Sequence, residues 1–177
     1  MLFFLNSKNI RIILGIIICA LSGVLLHFVY EWSGENKFVG YFSAVNESTW
    51  EHLKLLFIPM LAFTIFEYFK FKEFNTNFLF SRTVSIIVGM LFIVSAFYTI
   101  SGITGKTNMP VINISIYVLA VIIAFLITRI IMNNSFNSHK HLDLLSFLIL
   151  GAIFFLFILW SYNSPSNIGI FYDYVNK

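Results

Sequence analysis

Five runs of apolar residues, at about Ile10–Tyr30, Thr49–Phe69, Thr83–Gly102, Val111–Met132 and Leu144–Tyr162, are each long enough to cross a lipid bilayer. No other feature of the chain constrains its fold as tightly. Hydrocarbon offers no hydrogen-bond partner to a backbone N–H or C=O, so a segment of this length that crosses it must be helical. The reading is an all-α integral membrane protein, a single bundle of five transmembrane helices over residues 1–177. Composition agrees: charged residues make up 11% of the chain and mean hydropathy is +0.87. Soluble domains carry about 25% charged residues, and with so few this chain could not solvate a globular surface.

The net charge of +3 does not point to nucleic acid, because the basic residues flank the apolar runs instead of forming a patch. The one cysteine, Cys19, lies inside the first run and allows no internal disulfide. Lys8 and Arg11 precede that run as they would in a signal peptide. The run is too long for a signal core and lacks a small-x-small exit, so it reads as a retained span.

Basic residues set the direction. With the N-terminus inside, Lys8, Arg11, Lys70, Lys72, Arg82, Arg129 and Lys140 are cytoplasmic, and Lys37, Lys54, Lys106 and Lys177 lie opposite, seven against four. The expectation is therefore N-terminus inside and C-terminus outside. Five spans do not divide into two equal halves, so the inverted repeat typical of many transporters is not evident.

Between the first two spans, Glu31 to Glu47 is no ordinary loop. Trp32, Phe38, Val39, Tyr41, Phe42 and Val45 make it too apolar for water, while Glu31, Glu35 and Lys37 keep it out of lipid. It should lie in the interface or fold back into the bundle mouth, with Phe38, Val39 and Phe42 shielded; an interfacial aromatic belt is the alternative. The second span opens on Ser48-Thr49-Trp50-Glu51, a capping-box pattern in which Ser48 accepts from the Glu51 amide and Glu51 reaches back. Pro59, inside the same span, should kink it and leave a carbonyl without its usual donor.

The chemistry-bearing residues gather at this end. His27 and Glu31 are one turn apart at the end of the first span, and Glu47, Glu51, His52 and Lys54 open the second. Consecutive helices joined by short connections are neighbours, so two histidines and several carboxylates would meet at one depth. Glu31, Glu35, Glu47 and Glu51 against Lys37 and Lys54 leave two negative charges in excess. Crowded carboxylates share a proton or bind a cation. His27, Glu31, Glu47, Glu51 and His52 are thus the candidate ligands of a divalent metal, with capping and ion pairing as the plainer alternative. The spacing is not that of a zincin, since no second His follows Glu51-His52 at the required distance. Ser48 lies four residues from His52, but serine at a helix start is first a cap. Tyr98, Asn108, Tyr117 and Asp173 are possible outer-side partners. On the inner side Glu67 and Arg129 should snorkel to water, and His139, Lys140, His141 and Asp143 form a solvated connection. The Asn-x-Ser sequons at Asn46, Asn113 and Asn133-Asn134-Ser135 read as chance matches.

The stretch HFVYEWSGENKFVGYFSAVNESTWEHLKLLFIPMLAFTIFEYF, His27 to Phe69, resembles the signature of a bacterial family of small multi-pass membrane proteins catalogued only as a domain of unknown function. Phe80-Ser81-Arg82 and the region from Phe97-Tyr98-Thr99 to Gly105 also fit. Members tend to end in a Leu-Phe-x-Asp-Pro-like tail; SPSNIGIFYDYVNK matches it in Phe171 and Asp173 and lacks the following Pro. The resemblance implies a bacterial cytoplasmic membrane protein whose motif contains His27, Glu31, Asn46, Glu47, Ser48, Trp50, Glu51, His52 and Lys54. It implies no activity.

Three functions are compatible with these residues. One is a binding or transport-like bundle whose outer-side pocket takes a cation, a proton or a small polar ligand. Another is a membrane enzyme, possible metal dependence included, acting on a lipid or outer-leaflet substrate. The third is a structural or partner-binding protein whose motif locks the first two spans together. The carboxylate excess favours the first.

Overall fold

The computed structural model describes residues 7–71, 77–133, 140–165 and 167–173. His139, Lys72, Asn134 and Lys177, and the side chains of Lys8 and Lys140, lie outside them. The described chain is helical: α1 (Ser7–Trp32), α2 (Lys37–Gly40), α3 (Thr49–Phe71), α4 (Phe78–Thr104), α5 (Pro110–Asn133) and α6 (Lys140–Trp160), then a 3-10 turn at Gly169–Phe171. All but α2 and the 3-10 turn are long and apolar enough to cross a membrane. The five-helix bundle expected from the apolar runs is the fold observed.

The interior follows from polarity. The second span carries Glu51, Lys54, Thr64 and Glu67, which lipid would not solvate. Accordingly α3 is the most buried helix, with half of its apolar window inside the bundle against 17% for α1, α4 and α6. It packs on α1, α4 and α5, and the 3-10 turn returns to it. Where α4 meets α5 the contact is made by small residues: Gly89 lies against Ala124 and the Ala120 carbonyl, and Thr128 donates to Ser85 Oγ at 2.9 Å. Helices in lipid gain no hydrophobic energy from meeting, so close approach of small residues and interhelical hydrogen bonds hold them together.

Pro59 leaves the Leu55 carbonyl without its helical donor. The Tyr117 hydroxyl of α5 stands 3.4 Å from that carbonyl while donating to Cys19 O of α1 at 2.7 Å. One phenol thus ties α1, α3 and α5 together. It fits because residue 23 is glycine, where a Cβ would collide with the Tyr117 oxygen and the Leu55 carbonyl.

Two expectations need correction at the end of the bundle where α1 and α4 begin and α3 ends. Helix α4 starts at Phe78, a turn earlier than the apolar run indicated, because Arg82 is not a flanking charge. It is 3% exposed and ion-paired with Glu67. Glu67 does not snorkel: it is 1% exposed and also accepts from Arg11 Nε at 3.1 Å. Burying the carboxylate costs less when two guanidiniums neutralise it. The faces of Phe125 (4.3 Å from the guanidinium carbon), Phe78 and Phe63 surround Arg82 and offer π density to its remaining N–H groups. Arg129 is exposed, as expected.

Candidate functional site

The turn between α2 and α3 is built by the motif itself. Asn46 Oδ1 accepts from the Ser48 amide at 3.0 Å, and Ser48 Oγ accepts from the Glu51 amide at 3.3 Å, so the expected cap on α3 is present. The reciprocal half of the capping box is not. Glu51 Oε2 accepts instead from the Val45 amide at 3.0 Å, pinning the preceding turn.

Glu51 is also claimed by Lys54, whose Nζ lies 2.5 Å from Oε2. Lys54 is fully buried and Glu51 is 1% exposed. The other two ammonium hydrogens go to Gly40 O at 2.8 Å and Ser161 Oγ at 2.9 Å. Lys54 therefore joins α3, the end of α2 and the end of α6, and it reaches the interior because all three of its donors are satisfied there. Gly40, Ser43 and Ala44 are buried, while Glu31 to Phe38 are exposed. The segment between α1 and α3 thus folds into the bundle mouth only at its second half. Phe38, expected to be shielded, is 71% exposed.

His27, Glu47 and His52 converge. His27 Nε2 stands 3.7 Å from Glu47 Oε1, and His52 Nε2 stands 3.5 Å from Glu47 Oε2. The two imidazole rings meet edge to face, 5.2 Å between centroids. The side chains are 29%, 32% and 27% exposed. His52 Nδ1 is 2.8 Å from Ser48 O, which has no hydrogen to give, so Nδ1 must donate. The histidine thus meets the Ser48 carbonyl and not its hydroxyl, and the two side chains make no nucleophile–base pair. That contact also leaves the neutral His52 ring with a lone pair on Nε2 facing a carboxylate. Two acceptors at 3.5 Å repel unless a proton or a metal ion lies between them.

The ligand atoms of these three residues lie within 4.8 Å of one another. Around a tetrahedral cation with ligands at about 2.1 Å, neighbouring ligand atoms stand about 3.4 Å apart. The two His–Glu distances are already close to that, and only the two imidazoles need approach. Of the five expected ligands, Glu31 is exposed to solvent and Glu51 is held by Lys54, so neither belongs to this group. Part of the expected carboxylate crowding is thereby removed, for Glu51 is neutralised and Glu31 and Glu35 face outward.

The group lies at the mouth of a cavity of about 380 Å³ between α1, α3, α4 and α5, whose deeper wall includes Gly23, Leu55, Ile93, Ile116 and Tyr117. Thr49, Asn108 and Asn113 line its polar side. Trp50 does not reach the cavity residues' ring; its indole packs on Phe157, Trp160 and Phe171, at 4.6, 5.2 and 5.0 Å between centroids. This box holds the C-terminal segment, where Asp173 pairs with Ser48 in an isolated bridge and its Oδ2 lies 3.4 Å from the Glu47 amide. Asp173, named from the sequence both as a match to a tail pattern and as a possible partner at this end, thus reaches the motif through a contact that spans 126 residues.

No curated protein and no solved structure matches the chain. The model of a family of unknown function, DUF6512, matches residues 3–177. With nearly the whole sequence covered, the chain belongs to that family.

Proposed function

We propose that this is a cation-binding membrane protein whose site is His27, Glu47 and His52, and that the ion is a divalent transition metal of the zinc type. The observation that carries the reading is the His52 ring. Its Nδ1–H is engaged by Ser48 O, which turns the Nε2 lone pair toward a carboxylate and a second imidazole. A backbone carbonyl on the far nitrogen is the usual way a protein fixes the tautomer of a metal-binding histidine. Two nitrogens and one oxygen suit zinc and its neighbours better than magnesium or calcium, which prefer oxygen. Asn46, Ser48 and Trp50 support the site by shaping its turn; Glu51 and Lys54 anchor the segment that carries Glu47.

A second reading is favoured by one observation, the cavity beside the three ligands. Three protein ligands leave a zinc-type ion with an open position, and an ion in that state beside a pocket can activate water. A metal-dependent enzyme acting on a lipid or outer-leaflet substrate would use that arrangement.

We place the protein in a bacterial cytoplasmic membrane as one bundle, with the N-terminus inside and the His27 end of α1 outside. Removing the bundle-paired Arg11 and Arg82 from the seven inner basic residues, and Lys54 from the four outer ones, leaves five against three. The direction of the bias is unchanged.

Elemental analysis of the purified full chain tests the reading. Wild-type protein should retain close to one equivalent of metal, and His52→Ala should lose it with its helical content intact. Metal-free wild-type protein that takes up none on addition of zinc would refute the site.

A further inference from the structure

We propose that the cavity beside the His27–Glu47–His52 group holds a single-chain amphiphile drawn from the bilayer, its oxygen-bearing head group on the bound cation and its chain against Ile93, Ile116 and Tyr117. The inference rests on the metal reading above and adds the chemical class of the ligand.

Polarity is distributed along the cavity as such a molecule requires. At the mouth stand the three ligand residues and two oxygens without a partner among the described residues, Thr49 Oγ1 and Asn113 Oδ1. Thr49 is 4% exposed, so water does not easily serve its hydroxyl. Buried polar atoms are nearly always paired, and Thr49 and Asn113 both line this cavity, so a small rotation of either side chain would present its unpaired oxygen to an occupant. The Thr49 hydroxyl would donate to a head-group oxygen, and Asn113 Oδ1 would accept from a head-group O–H or N–H. Asn113 Nδ2 already donates to Thr107 O at 3.2 Å, so Oδ1 is the group of that side chain left to pair.

Below the mouth the wall is apolar. On α5 the lining residues run from Pro110 to Tyr117, eight residues or about 10 Å along the axis, with Asn113 the polar member and Ile114, Ile116 and Tyr117 beyond it. A volume of about 380 Å³ is near the lower end for small-molecule sites, which suits one aliphatic chain better than a two-chain lipid. Phe28 of α1 and Ile114 of α5 both line the cavity and are 42% and 49% exposed, so a chain would enter between them.

The test uses the full-length protein in detergent, loaded with cobalt(II), and a series of alkyl hydroxamates from two to six carbons. A hydroxamate supplies the metal-binding oxygens together with an N–H, and the visible absorption of cobalt reports each binding event. Affinity should rise roughly three- to fourfold per added methylene, about a hundredfold across the series, since each buried CH₂ contributes about 0.8 kcal/mol. Ile114→Trp, which fills the cavity, should still bind cobalt and acetohydroxamate but lose the gain with length. Equal affinity for all lengths in the wild-type protein would overturn the amphiphile and leave the metal site standing. A full chain-length gain in folded Ile114→Trp would also overturn it. Failure to bind cobalt would overturn the metal reading, and this inference with it. The wild-type series decides alone if the variant does not fold.

Discussion

Replacing Lys54 with methionine probes the most buried charge among the described residues. Methionine keeps the length and apolar stem but removes the ammonium, which lies 2.5 Å from Glu51 Oε2 and also donates to Gly40 O and Ser161 Oγ. At an effective dielectric near 20, a pair at that distance attracts by about 7 kcal/mol, most of which offsets the desolvation of the two charges. Deleting one partner leaves the other charge buried without compensation, at a cost of about 3–5 kcal/mol. Glu51→Gln combined with Lys54→Met removes both charges and keeps an acceptor for the Val45 amide. The double variant should therefore be more stable than Lys54→Met alone, by about 2 kcal/mol. Reversible unfolding in mixed micelles, followed by circular dichroism, measures both. Equal stability of the single and double variants would refute the argument, and so would a Lys54→Met cost below about 1 kcal/mol.

Three other substitutions test the packing. Gly23→Ala should destabilise the bundle by about 1–3 kcal/mol, because its methyl group meets the Tyr117 hydroxyl; Gly23→Ala with Tyr117→Phe should recover part of that in the same unfolding assay. Arg82→Met should cost about 3 kcal/mol by leaving buried Glu67 with Arg11 alone, and adding Glu67→Gln should restore most of it. Ser48→Ala should lower stability by about 1 kcal/mol through loss of the α3 cap while leaving metal content unchanged, since His52 uses the Ser48 carbonyl and not its hydroxyl.

The helices were legible because lipid imposes one rule on every span, and length with apolarity suffices to read it. The ends were less so. The early start of α4 depends on Arg82 being matched by Glu67, and a sequence does not show whether a charge flanks a helix or pairs inside the bundle. The motif was legible as a gathering of chemistry, with the Ser48 cap and the Glu51–Lys54 spacing readable from helix geometry. Its division into two groups was not. Glu47 precedes the helix, so periodicity could not say that its carboxylate turns toward His27 and His52 while Glu51 turns toward Lys54. Glu31, one turn from His27, lies on the solvent side because the chain leaves α1 there. Tyr117 and Asp173 were candidate partners at this end, but their contacts join residues far apart in sequence, and no local pattern says which atoms they meet.

X-ray absorption spectroscopy at the metal edge of the purified wild-type protein reads the His27–Glu47–His52 site itself. One first shell should contain two imidazole nitrogens and at least one oxygen at about 2.0–2.2 Å. With zinc added in excess to hold the weakened site filled, His27→Ala should show one imidazole fewer and Glu47→Ala one protein oxygen fewer. A spectrum with no imidazole scattering, or one unchanged in both variants, would contradict the site.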